Sequence, residues 1–475
     1  MVAIPTAEIT RSDSTRRSER TRRASTVALV GLLALFLVVG TSVGAQETED
    51  ELFGGSILEG EDGESGDGQE TAISDADFSD EMLSGEPVRI GGTYRFSLAP
   101  SFFWDELDSP SDVSGWPEYE FATTLGTQLF VDARPSSDFR VYAEADVSYP
   151  FTVSGTPGDT DAREFHDIVR ITELFSDFTI NDTLFLRGGK HTVTWGVGYF
   201  FSPADIINLE RIDPEDPEAD REGPVNVKAQ LPISTTNLYL YALPPVGGEE
   251  YPAFAPRAEF VVDAFEIGFG GFWRPKDLPA GMVTVEGSIS DFSLFAEAVV
   301  LGESDRTYVR EAATPLGVET YTHDEIVFQG TAGLLYRYSD DDGDINLNAA
   351  GQYFYNGEGY EDSSVLSENQ LGVLALGQAG ELGASDLSEI GRHYAAASAG
   401  LSSILGSDIS VQSLWYGNLS DASGSVSVTV SYRFNDYVSA STGANYTYGD
   451  SGDEFTPLGQ RLGAELTVRF GSGSF

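Results

Sequence analysis

The sequence predicts an all-β chain closed into a transmembrane, antiparallel, up-and-down barrel of about 18 strands, with 16 also open and one long loop folded inward. Three observations carry that expectation. From Val88 onward, apolar and polar residues alternate with a period of two, which in a strand places the two classes on opposite faces. The alternating segments are joined by short turns and long loops in turn. The chain has no cysteine and opens on a basic stretch followed by an apolar one, the pattern of an export signal. Without cysteine there is no disulfide framework, thiolate metal site or cysteine nucleophile.

The N-terminal elements come first. Arg16, Arg17, Arg20, Arg22 and Arg23 precede the apolar run Val27 to Gly40. That run is shorter than the roughly 20 residues of a spanning helix. Val43-Gly44-Ala45 is a small-x-small site, so a signal peptide over 1–45 is expected to be cleaved after Ala45. Residues 46–86 hold 15 Asp or Glu and no Lys or Arg. Such a segment buries too little apolar surface to offset its ordering entropy, and it reads as a disordered acidic periplasmic tail. The barrel is expected over 87–475.

The strands follow. "DFRVYAEADVSY" sets Phe139, Val141, Ala143, Ala145 and Val147 against Arg140, Tyr142, Glu144, Asp146 and Ser148. "VSVTVSYRF" repeats the pattern with Val426, Val428 and Val430. Short turns such as "RPSS", "ND" and "DDD" alternate with long connections at 150–167, 192–224, 302–324 and 357–390. Tight turns at one end and extended loops at the other are the rhythm of an outer-membrane barrel. Closure is the physical requirement, because in hydrocarbon every backbone N–H and C=O must find a partner within the protein. The polar face then lines a lumen. Alternation assigns Arg140, Glu144, Asp146, Lys228, Glu286, Glu297, Arg433, Arg461, Glu465 and Arg469 to it. The last strand, "LTVRFGSGSF", resembles the C-terminal signature of bacterial outer-membrane proteins, which implies Phe470 or Phe475 as the aromatic that barrel-assembly machinery would read.

The connection at 192–224 is the least repetitive part of the chain: "WGVGYFFSPADIINLERIDPEDPEADREGP". A barrel of this size is too wide for its own wall side chains to fill. An aromatic loop of this length is expected to fold inward and narrow the pore through Trp195, Tyr199, Phe201, Asp205, Asn208, Arg211 and Arg221. "SPADIINLERI" predicts a short helix capped by Ser202, with Pro203 at its first position.

The strand ending "RGGK" followed by "WGVGYFFSPADIIN" resembles the porin-like outer-membrane barrels of the alginate-export type and related uncharacterised outer-membrane families. The resemblance touches Arg187, Lys190, Trp195, Gly196, Phe201, Pro203, Asp205 and Asn208, and it adds Arg187 and Lys190 to the lumen-facing set. It implies passive passage of small polar solutes through a monomeric barrel in a Gram-negative-type outer membrane, surrounded by lipid.

Other function classes fit less well. A formal charge of -49 excludes nucleic acid as a partner. The pairs His166-Asp167 and His323-Asp324 lack an accompanying nucleophile, so no enzyme is expected. "DDDGDINLN", from Asp340, lacks the final bidentate Glu of a calcium loop and reads as a turn, so neither a metal site nor a cofactor is expected. The alternative to a channel is a plugged structural or surface barrel with acidic, cation-binding loops.

Overall fold

The computed structural model describes residues 88–474, apart from 108, 110–112, 155–167, 209–210, 220, 246–249, 305, 324 and 341–344. The expected signal peptide, the acidic tail, the pair at 166–167 and Phe475 lie outside the described residues.

The chain forms β1 (Val88–Leu107), β2 (Glu118–Ser136), β3 (Phe139–Ser154), β4 (Val169–Ile180), β5 (Leu184–Lys190), β6 (Val225–Ile233) and β7 (Thr236–Leu243). It continues with β8 (Ala253–Val262), β9 (Phe265–Phe272), β10 (Ala280–Ile289) and β11 (Phe292–Leu301). Two short strands, β12 (Tyr308–Glu311) and β13 (Val318–Tyr321), pair only with each other inside the next loop. The wall resumes with β14 (Val327–Ser339), β15 (Asn346–Asn356), β16 (His393–Ser402), β17 (Ile409–Asn418), β18 (Ser423–Asn435), β19 (Val438–Tyr448) and β20 (Gln460–Ser474).

Leaving out β12 and β13, each strand pairs antiparallel with its sequence neighbours in one 18-stranded sheet. The sheet closes where β1 meets β20, with Phe96 opposite Phe470 and Ser101 opposite Glu465. Closure satisfies the backbone without leaving an edge. The last strand continues past Phe470 through Gly471, whose φ of 63° sits at the β1–β20 register shift. The short turns also need the left-handed region. Asn181 and Asp182 both have positive φ (53° and 52°), the type I′ conformation that suits a two-residue hairpin and that Asn and Asp tolerate. Between β14 and β15, Asp340 bonds Ile345 in both directions, and residues 341–344 of the acidic segment lie outside the described residues.

Alternation sorts the side chains as the period-two pattern requires. Leu125, Leu129, Val227, Leu240, Val428 and Val430 are exposed on the outer face. Arg140, Arg187, Lys228, Glu297 and Gln352 are buried on the inner face. An apolar outside around a polar inside is the inverse of a soluble barrel and matches a hydrocarbon surround. Among the described residues, no helix is long and apolar enough to cross a membrane.

The long loops are themselves folded. The β12–β13 hairpin packs through Val309 and Val318 against Val373, Leu376 and Leu382 of the loop between β15 and β16. That loop carries two short helices, α1 (Ser364–Glu368) and α2 (Gln370–Gln378). Arg306 ties the layers together by donating to the carbonyls of Asp386, Ser388 and Glu389 at 2.9, 2.6 and 3.1 Å.

Candidate functional site

The connection from β5 to β6 touches inward-facing side chains of β7, β8, β11, β15, β16 and β17. It opens on Trp195, which is completely buried with its ring edge against Tyr241 at 5.5 Å. Val193, Ala204 and Ile207 from the same loop share this cluster with Tyr239, Met282 and Val299 of the wall. The guanidinium of Arg257, on β8, donates to the Trp195 carbonyl.

The next turn is built around a single carboxylate. Glu297, on β11, accepts from the backbone N–H of Val197 (2.5 Å), Gly198 (2.6 Å) and Ala204 (2.9 Å), and from the Ser202 hydroxyl (3.0 Å). Successive N–H groups converging on one anion form a nest. Gly196 and Gly198 make the nest possible. A Cβ on Gly196 would lie 1.5 Å from Ser202 Oγ, and one on Gly198 would lie 1.9 Å from the Phe201 carbonyl oxygen. Gln352, on β15, holds the following residues. Its Oε1 accepts from the N–H of Tyr199 and Phe200 at 3.1 and 2.6 Å, and its Nε2 donates to the Phe201 carbonyl at 2.6 Å. The Phe201 ring then stacks on Phe354 at 5.1 Å and meets Tyr416 at 5.7 Å.

Over the described residues 202–208 the expected helix from Ser202 does not form; they make a turn closed by the Asp205 N–H on the Ser202 carbonyl. The cause is local. The Ser202 hydroxyl donates to Glu297 instead of accepting a helical N–H, and Ala204 gives its N–H to the same carboxylate. Asp205 is bound by Arg221 and by Asn208 Nδ2 at 3.0 Å. Asn208 also bonds Val193 in both directions, which closes the loop on itself. Tyr199 donates to Glu218 at 3.1 Å. Arg211 reaches Glu389 at 2.9 Å, on the loop between β15 and β16. The structure thus brings together Trp195, Tyr199, Phe201, Asp205, Asn208 and Arg221, with Arg211 linking them to a second loop.

The lumen wall carries two charged groups of residues. Arg140 and Arg187 bond Asp132 and Asp177 at 2.9 and 2.8 Å, and Arg134 joins Asp132 at 2.8 Å. Arg187 stacks over Phe175 at 4.0 Å, and Arg140 over Tyr142 at 5.0 Å. Lys228 is buried opposite Arg187, with its ammonium 5.1 Å from the Tyr239 ring centre. Nearby on this side, Glu144 accepts from Gln128, Tyr142 and Thr172, and Asp146 lies 3.6 Å from Arg170. The second group contains Glu286, directly opposite Glu266, together with Arg257 paired to Glu259 at 2.7 Å. Arg433 stands at the short-turn end, 3.6 Å from Asp408.

Lys190 is a correction. It follows Arg187 by three positions, so a period of two reverses its face. Its partners in register are Leu174 and Val225, both exposed on the outer surface. Its ammonium turns to the Ile171 carbonyl and to Glu222. Sequence reasoning missed Gln352 and Arg257 as loop anchors. Their inward parity was legible, but their partner was not. His323 packs edge-on against Tyr308 and Tyr321 and is part of the loop layer; Asp324 lies outside the described residues. Among the described residues, no group of His, Asp or Glu is arranged to hold a metal ion.

No protein-family model matches the chain, and no curated protein matches it. Solved structures do resemble it. OccAB1 of Acinetobacter baumannii is 12% identical over 81% of this chain and 97% of that one, with a TM-score of 0.46. The outer membrane protein OpdK of Pseudomonas aeruginosa is 8% identical over 81% and 99%, with a TM-score of 0.44. Wzi of Escherichia coli, described as a carbohydrate-binding β-barrel involved in group 1 capsule assembly, is 10% identical over 79% and 84%, with a TM-score of 0.42. The barrel assignment rests on the chain's own strand pairing.

Proposed function

We propose that this protein is a porin-like outer-membrane channel for passive diffusion of small polar solutes, narrowed by the loop at 192–224, and that it acts as a monomer. One observation carries the reading. A loop leaving β5 is gripped by inward-facing polar side chains of β11 and β15, so its backbone is fixed within the ring of strands. A charged inner wall and an apolar outer face support passage of polar solutes across lipid. The expected signal peptide over 1–45 and the aromatic last strand would serve export and insertion by the barrel-assembly machinery.

A plugged barrel is the second reading, favoured by the ring contact of Phe455 with Tyr416 at 4.9 Å and by the Arg211–Glu389 pair, which draw other loops onto this one. Conductance of the refolded mature protein in a planar bilayer separates the two. A channel gives discrete steps that grow when residues 197–221 are deleted. A plugged barrel is silent until the deletion. Unchanged steps after the deletion would rule out the constriction.

A further inference from the structure

We propose that Glu454 is a proton-sensitive latch that holds the outer loops together above the constriction. The proposal deepens the channel reading and rests on it for its effect on conductance. Glu454 lies in the connection from β19 to β20. Its Oε2 accepts from the Tyr394 hydroxyl of β16 at 2.6 Å and from Asn418 Nδ2 at the end of β17 at 2.8 Å. Its Oε1 accepts from the Ile390 N–H, in the loop between β15 and β16, at 3.3 Å. Its own N–H donates to Asp421, between β17 and β18, at 3.1 Å. One residue therefore joins three loops and two wall strands. Its neighbour Phe455 rests on Tyr416, which meets Phe201 of the inward loop. The latch and the constriction thus share one aromatic contact.

The charges around this joint are mostly acidic. Asp421 faces Glu454 from the loop after β17, and Asp450 and Asp453 belong to its own loop. Glu389, Glu215 and Asp213 act on Tyr416 beside it. Arg211 is paired with Glu389. Arg392 and His393, next along the chain, turn away to Glu361 and Tyr353. Burial, reinforced by Asp421, pushes the Glu454 carboxyl up to about 7 against the opposing hydrogen bonds from Tyr394, Asn418 and Ile390.

The sign follows from linkage. A carboxyl raised above its ordinary value of 4.5 binds its proton more tightly when docked. Docking is therefore strongest below that ordinary value. It weakens as pH rises towards about 7 and levels off above it.

Two measurements test this on the full mature chain. Conductance is expected to rise between pH 5 and pH 8. Glu454→Gln keeps one acceptor oxygen for Tyr394 and Asn418 and gives up only the long bond from Ile390, so it should hold the low value at both, and Glu454→Ala the high value at both. The second readout needs no channel. The chain lacks cysteine, so Thr456→Cys, at a fully buried position, reports undocking by thiol labelling. Exposed Ser451→Cys corrects for the intrinsic pH dependence of the thiol. The corrected labelling ratio should rise on the order of 50-fold from pH 5 to pH 8, because nearly two units of the shift from 4.5 to about 7 fall in that window and each unit is a factor of ten. Glu454→Gln should abolish that rise. A ratio flat with pH, or one that still rises in Glu454→Gln, overturns the latch. A pH-dependent ratio in a protein that never conducts supports the latch and counts against the channel.

Discussion

At the scale of single residues, the grip of Glu297 on the loop is the most exacting feature. Four donors converge on a carboxylate that is 4% exposed. A hydrogen bond to a charged group contributes about 1.5–3 kcal/mol, and a buried donor left unpaired costs a similar amount. Glu297→Gln places an amide nitrogen, itself a donor, among N–H groups that need an acceptor. The expected result is a barrel that still shifts in electrophoretic mobility on heating but whose loop is cut readily by added protease. The single-channel step should be larger. A variant whose loop stays as resistant as the parent would show that Gln352 and the Trp195 cluster suffice without the carboxylate.

At the scale of elements, the lipid-facing rows make a separate claim. Val426, Val428 and Val430 point outward from the middle of β18 and are exposed there. Arginine at the bilayer midplane of a barrel costs about 2–4 kcal/mol. Val428→Arg should therefore lower folding stability in lipid vesicles by that amount, read from denaturant titration, whereas arginine at a loop position such as Ser451 should change it little.

The wall strands were legible in the sequence because alternation is a local signal, repeated often enough to give the face of each residue and a count of about 18, with 16 still open. In β6, Val225, Val227 and Ile233 are exposed outward while Asn226, Lys228 and Gln230 are buried inward, as alternation requires. What stayed hidden depends on distant partners. Glu297 was legible as inward-facing, yet its bond to Val197 spans 100 residues of sequence. Ser202-Pro203 carries the local grammar of a helix start, and the wall carboxylate overrides it. The four-residue strands β12 and β13 are too short for alternation to register. Lys190 was misplaced because the resemblance supplied a residue without its parity, and counting from Arg187 would have corrected it.

At the scale of the whole molecule, closure and charge act together. A solute entering the ring of strands would meet the loops at its rim first. Asp213, Glu215, Glu361 and Asp450 are exposed on those loops. Carboxylates beside a low-dielectric wall concentrate field lines and raise the local cation concentration. If the lumen conducts, the reversal potential in a tenfold potassium chloride gradient should show a cation preference. That preference should be largest with the dilute side near 0.1 M, where the Debye length is about 10 Å, and fade as both sides approach 1 M, where it is about 3 Å. The paired arginines at Asp132 and Asp177 lie buried on the inner wall, where salt screens them much less. A preference set by the wall would persist at high salt, whereas one set by the rim would vanish. An anion preference at low salt would transfer control of selectivity from the acidic rim to the arginines of the wall.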